Sequence, residues 1–178
     1  MKTLVIVVHP NIEQSRINKS WMQALQEQSE VTVHQLYPAY PDFKIDAAKE
    51  QALLEAHDRV IFQFPFYWYS SPALLKEWFD RVLAHGWAYG PGGDKLHGKE
   101  WGIAISTSGP QISYQPDGHN HYTLDDLTKP FKATSSHIGT TFITPFILNG
   151  VTRVSDEELA QNTLDYVKFV TSMQPASV

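Results

Sequence analysis

Cysteine is absent from the chain. With it go thiolate catalysis, Cys-x-x-Cys zinc sites and disulfide bonds, and the composition suits a reducing compartment. No apolar run is long enough to cross a bilayer, and the N-terminus enters an apolar stretch after a single lysine without a signal-peptide cleavage pattern, so a cytoplasmic protein is expected. An excess of positive charge is also missing. The 14 basic and 19 acidic residues leave a net charge of -5, which argues against a general nucleic-acid binder. The first strand is not followed by G-x-G-x-x-G, and G-x-x-x-x-G-K-[ST] occurs nowhere, which counts against a Rossmann dinucleotide fold and an NTPase. Without a G-x-S-x-G elbow or a cysteine, acyl transfer has little support. A length of 178 residues suits one domain spanning 1–178, able to bury a core without disulfides or metal.

What is present begins with Leu4 to Val8, a short, β-branched apolar run stopped by Pro10, which predicts a buried strand. Ser15 follows as the cap of a helix whose Ile17, Trp21 and Leu25 fall four apart on one face. A loop that leaves a buried strand and opens a helix presents unpaired N–H groups beside the positive end of the helix dipole, and phosphate suits it. Glu30 to Leu36 reads as the second strand, and Tyr37 to Phe43 as a Pro-rich surface loop. Asp46 caps the next helix, and Val60 to Phe64 forms a third strand that Pro65 stops.

The loop Pro65 to Pro72 is dense in rings: Phe66, Tyr67, Trp68 and Tyr69. Ser71 as N-cap with Pro72 at the first helical position starts a helix that buries Leu75, Trp78, Phe79 and Val82 and ends at His85-Gly86. A Gly-rich loop over Trp87 to Gly93 follows. Trp101 to Ser106 is the fourth strand, leading into the small-residue turn Thr107-Ser108-Gly109-Pro110, where a ligand can approach the backbone closely. The loop beyond holds Tyr114, His119 and His121. Because Pro130 suits only a first helical turn, the fourth helix is placed from about Thr128 to Gly139. Thr140 to Leu148 reads as the fifth strand, and Ser155 to Glu158 as a capping box that opens the last helix, through about Ser172.

Strands alternating with helices at these spacings predict an α/β fold, a flavodoxin-like doubly wound five-stranded parallel sheet of order 2-1-3-4-5 with helices on both faces. In that order the loops after strands one, three and four meet where the winding reverses. One brings an anion site, one aromatic faces and one a small-residue wall. A flavin mononucleotide suits this better than a nicotinamide. Metal hydrolysis is the weaker contender: His119-Asn120-His121 near Asp117 is a poor ligand pattern, and no metal is expected.

His9-Pro10 with Ser15 and Asn18, then Phe66 to Pro72 running into Leu74-Leu75-Lys76, then His85-Gly86-Trp87-Ala88-Tyr89-Gly90, resemble the NAD(P)H dehydrogenase (quinone) family. The similarity is greatest to its short members, which include the ancillary flavoprotein of glutathione-gated potassium efflux. It extends through Leu36-Tyr37 and Tyr40-Pro41-Asp42-Phe43 and covers nearly the whole chain.

The resemblance implies a tightly held flavin, a homodimer with active sites at its interface, and hydride transfer from NADH or NADPH to a quinone. The exposed rings expected at Trp68, Trp87 and Tyr89 would need such cover. By position, His9, Ser15, Arg16, Ile17 and Asn18 would hold the flavin phosphate and ribityl chain. Phe66, Tyr67, Trp68 and Tyr69 would line the ring system, and Ser106, Thr107, Ser108 and Gly109 would close its far side. The family's long members bind FAD and carry a C-terminal extension that this chain lacks, so FMN is expected ahead of FAD. The family usually has Thr-Thr-Gly-Gly-Gly where this chain has Ser106 to Pro110. Tyr114, with either His119 or His121, resembles the tyrosine and histidine that longer quinone reductases place beside the ring. Two other readings are a regulatory subunit docked on a membrane transporter and a flavodoxin-like electron carrier, the latter disfavoured by the long loops after strands three and four.

Overall fold

The computed structural model describes residues 1–172. Strand β1 (Thr3–Val7) and helix α1 (Arg16–Gln26) come first, then β2 (Val31–Gln35), the single turn α2 (Leu36–Ala39), α3 (Ala47–Glu55) and β3 (Arg59–Pro65). They are followed by α4 (Ala73–Val82), β4 (Glu100–Ser106), α5 (Leu124–His137), β5 (Thr141–Phe142), β6 (Phe146–Leu148) and α6 (Asp156–Thr171). The strands pair in parallel in the order β2-β1-β3-β4-β5, and β6 continues the last position by pairing with β4. This is the predicted doubly wound order, with the fifth strand in two pieces. Pro145 lies between them and has no N–H to give the ladder.

Alternation along the strands sends side chains to two cores. Leu4, Ile6, Val60, Phe62, Trp101 and Ile103 join α3, α4 and α5 on one face, while Val5, Val7, Ile61 and Ala104 join α1 and α6 on the other. Each fully buried Leu, Ile or Phe contributes roughly 1.5–3 kcal/mol. The register places Val7 beside Gln63, Gln63 beside Ala104, and Pro65 beside Ser106. The carboxyl ends of β1, β3 and β4 therefore finish along one edge, and their following loops start together.

Several local expectations change. Pro65 is the last residue of β3 rather than its stop. Pro72, not Ser71, is the N-cap of α4; the Ser71 hydroxyl donates to the Pro72 carbonyl, and the helix ends at Val82, ahead of His85. Helix α5 starts four residues before Thr128, because Thr123 and Asp126 form a capping box there, and it carries Pro130 in its second turn at the loss of one backbone bond. The other expected helix starts hold: Ser15 caps α1 by accepting the Asn18 N–H, Asp46 caps α3 by accepting the Lys49 N–H, and Ser155 forms a capping box with Glu158 at α6. Trp87 and Tyr89 are half-buried rather than exposed, with Trp87 donating to Glu55 and Tyr89 packed on His137.

Helix α3 is fastened to the sheet by Glu50, which is fully buried. Burial pushes its carboxyl up, but hydrogen bonds from His34, Tyr40 and Trp78 outweigh this and hold it below the usual carboxylate range.

Candidate functional site

The three loops predicted to meet do so at the carboxyl edge. They enclose a cavity of about 390 Å³ lined by residues that include His9, Ser15, Arg16, Ile17, Asn18, Phe66, Tyr67, Ser106 and Ser108. A second cavity of about 430 Å³ shares Phe66 and Ser108 with the first and adds Trp68, Tyr69, Gly109, Tyr114 and His119.

The first cavity sits over the start of α1. The Ser15 hydroxyl accepts the Asn18 N–H, and the Ser15 carbonyl accepts from Lys19, so of the four N–H groups that open the helix those of Arg16 and Ile17 are left for a ligand. The Arg16 guanidinium is engaged elsewhere, bonded to the Val154 carbonyl and the Asp156 carboxylate at the start of α6. Arg16 thus offers the cavity its backbone, while its side chain ties two helix ends together. His9 accepts the Asn11 N–H at Nδ1, and burial lowers its pKa. The neutral ring therefore carries its proton on Nε2, where it can donate.

Asn18 is almost fully buried and donates to the Ser106 hydroxyl at 2.9 Å. The Ser106 carbonyl in turn accepts the Phe66 N–H at 2.9 Å. These two bonds join all three loops. Thr107 lines neither cavity: it is buried, with its hydroxyl 2.8 Å from the Gly109 carbonyl and 2.9 Å from the Asn149 side chain.

The aromatic loop is a tight turn in which the Ser70 N–H donates to the Tyr67 carbonyl. Trp68 and Tyr69 at its centre have φ of 48° and 62°, the left-handed region that bulky residues avoid at a cost of roughly 1–2 kcal/mol each. Trp68 is 91% exposed and Tyr69 48%, and the Tyr69 hydroxyl donates to Asn120. Tyr114 is buried against Gly109, where an added Cβ would sit 3.1 Å from the phenol ring. A side chain at this position would need the Tyr114 ring to give by a few tenths of an ångström, and Ser108 and Pro110 stand on either side of it. His119 joins Tyr114 in the second cavity; His121 stands apart, exposed and lining neither.

A fourth loop also contributes. The Val151 N–H donates to the Thr107 carbonyl, the Gly150 N–H to the Gly109 carbonyl, and Val151 lines the first cavity. The dipeptide Asn149-Gly150 after the last strand is a turn signal that points to it. Among the described residues no cluster of three or more His, Asp or Glu is placed to hold a metal, and no helix is long and apolar enough to cross a membrane.

A family model described as flavodoxin-like fold matches residues 1–170. The chain is 52% identical over 174 residues to the NAD(P)H oxidoreductase YdeQ of Bacillus subtilis, covering 98% of this chain and 88% of that one. It is 45% identical over 169 residues to the glutathione-regulated potassium-efflux system ancillary protein KefG of Cronobacter sakazakii, covering 95% and 92%. Among solved structures, general stress protein 14 of Treponema denticola in complex with FMN superposes with a TM-score of 0.92 at 38% identity, covering 96% of this chain and 98% of that one. An NADPH-quinone reductase of P. pentosaceus superposes with a TM-score of 0.89 at 31% identity, covering 97% and 99%. With matches of this extent in both sequence and architecture, the chain belongs to the flavodoxin-like fold family.

Proposed function

We propose that the chain is an FMN-dependent NAD(P)H:quinone oxidoreductase, acting through residues 1–178 as one domain and as a homodimer in the cytoplasm. One observation carries the reading: an N–H-rich helix start and a ring-walled cavity lie side by side at one sheet edge and share Phe66 and Ser108. The donor set fits the group. The free N–H groups of Arg16 and Ile17, the Ser15 cap and the Nε2–H of His9 would hold the phosphate, and Phe66 and Tyr67 would flank the ring system. Bound FMN would supply two-electron exchange between a nicotinamide and a quinone.

The chain's own part is orientation and proton handling. Reduction of a quinone to a hydroquinone needs a hydride and a proton, so a donor must stand at the acceptor's oxygen. Tyr114 and His119 in the second cavity are the side chains proposed for this, rather than His121. The cavity's other lining groups are rings, hydroxyls, a glycine and an amide, which suits a flat, uncharged acceptor. The exposed rings of Trp68 and Tyr69 on its rim favour a second copy as cover. Purified protein should take up FMN, turn yellow and oxidise NADH or NADPH when a quinone is supplied. Protein that stays colourless after incubation with FMN overturns the proposal.

The similarity to the potassium-efflux ancillary protein favours a second reading, in which the same flavoprotein docks on a membrane transporter. Co-purification with a potassium antiporter from native membranes tests it, and repeated recovery of the protein without one counts against it.

A further inference from the structure

The start of α1 is held by a residue that lines neither of the two site cavities. Gln63 lies mid-strand in β3, fully buried on the α1 and α6 face between Ile61, Ala104 and Val7. Its Nε2 donates to the Asn18 carbonyl at 2.9 Å and lies 3.3 Å from Asn18 Oδ1; its Oε1 accepts from the Tyr166 hydroxyl at 3.1 Å. The carbonyl of Asn18 can only accept, so the amide is fixed in this orientation. Burial raises the Tyr166 hydroxyl well above its ordinary pKa, so it remains a donor. From Asn18 the chain of bonds continues to the Ser106 hydroxyl and, through the Ser106 carbonyl, to the Phe66 N–H.

A methionine would fill this site without any polar atom to satisfy, and the Asn18 carbonyl would keep its helical partner. The amide is therefore not needed to form α1 or to fill the core. What it adds is direction: it binds the third residue of the helix to the sheet from beneath, fixing where the N–H groups of Arg16 and Ile17 point.

We infer that Gln63 is a positioning residue for the anion end of the site, acting through Asn18 to aim the first N–H groups of α1 at a phosphate. This rests on the proposed flavin function. It also predicts a specific separation. FMN and riboflavin share the ring system and ribityl chain and differ in the phosphate, so a misaimed helix start weakens the first ligand and spares the second.

The test is a pair of flavin titrations on the double variant Gln63→Met/Tyr166→Phe, which removes the amide without orphaning the phenol, followed by quenching of flavin fluorescence. The Kd for FMN should rise about tenfold, with that for riboflavin within twofold of the unaltered protein. Tyr166→Phe alone should keep the FMN preference. If the double variant does not fold, Gln63→Leu with Tyr166 kept, which also removes the donor to the Asn18 carbonyl, should lose the same preference. Equal weakening of both flavins, or no weakening of either, overturns the inference. Failure of the unaltered protein to bind any flavin instead overturns the proposed function on which it rests.

Discussion

Around the first cavity Ser15, Asn18, Gln63 and Ser106 are bonded to one another or to neighbouring backbone, whereas beside the second the rings of Trp68 and Tyr69 stand in solvent on a backbone of positive φ. The difference follows from what each region is proposed to bind. A cofactor that stays gains from groups aimed before it arrives, because the cost of ordering them is met during folding. Ligands that enter and leave in turn need an open wall, and a strained aromatic turn supplies contact area that only a bound molecule or a second copy can cover. One polar chain through Ser106 and Phe66 couples the two regions, so the open one is still referenced to the fixed one.

The largest expected effect falls on the open side. Tyr114→Phe should lower kcat/KM for a quinone about a hundredfold, the low end for loss of a general acid, while the Kd for FMN stays unchanged. Steady-state assays with flavin titrations read both. Loss of activity in His121→Gln, with His119→Gln unaffected, would break the division of the site, since only His119 lines the second cavity. On the fixed side Ser15→Ala should do the reverse. Loss of the cap costs about 1 kcal/mol of stability, about 2–4 °C in Tm for a chain of this size. FMN should bind about fivefold more weakly, with the KM for the acceptor unmoved.

The two regions also differ in how far the amino-acid order reveals them. Periodicity suffices for the strand and helix alternation, because each apolar face is a local pattern, and it brings His9, Ser15, Phe66 and Ser108 to one edge. The links between those residues are not local. Gln63 meets Asn18 and Tyr166, and Arg16 meets Asp156, only once registers across three strands and two helices are set; a lone glutamine in an apolar run carries no sign of its partners. The loop of Gly150 and Val151 is announced by Asn149-Gly150, but its bonds to Thr107 and Gly109 depend on the pairing of β4 with β6 and are not local either. For α5 the signal is present in Thr123-Leu124-Asp125-Asp126, but the first-turn preference of Pro130 competes with it and points four residues too far along. The turn at Trp68 is illegible for a different reason: nothing in its residue types favours positive φ, so the conformation reflects the fold around it.

A third prediction sharpens the fixed side through pH. Burial lowers the pKa of His9 in the folded state below its ordinary 6.5. The unfolded chain thus binds the proton more readily, and stability rises with pH in that window. The contribution of a neutral His9 is complete above pH 6.5 and is lost as pH falls through the lower folded value. His9→Gln should flatten the dependence of Tm on pH just below 6.5, measured by circular dichroism on flavin-free protein.

The smallest effect is expected where the loop of the second cavity ends. Asp126 accepts from Lys129 and from the Thr123 hydroxyl and N–H, and these contacts, Lys129 foremost, lower its pKa to about 2. Here the folded state is the stronger acid, so the stabilisation is complete above the ordinary 3.8 and is lost as pH falls through about 2. Asp126→Asn should remove that part of the acid limb of Tm. Because the carboxylate is at the surface, the Lys129 share is screened by salt while the bonds to Thr123 are not. In 1 M salt the difference between the two proteins should therefore shrink without vanishing. A difference that disappears entirely would assign the anchoring of this loop to charge alone, and the capping box would then contribute nothing to holding Tyr114 and His119 in place.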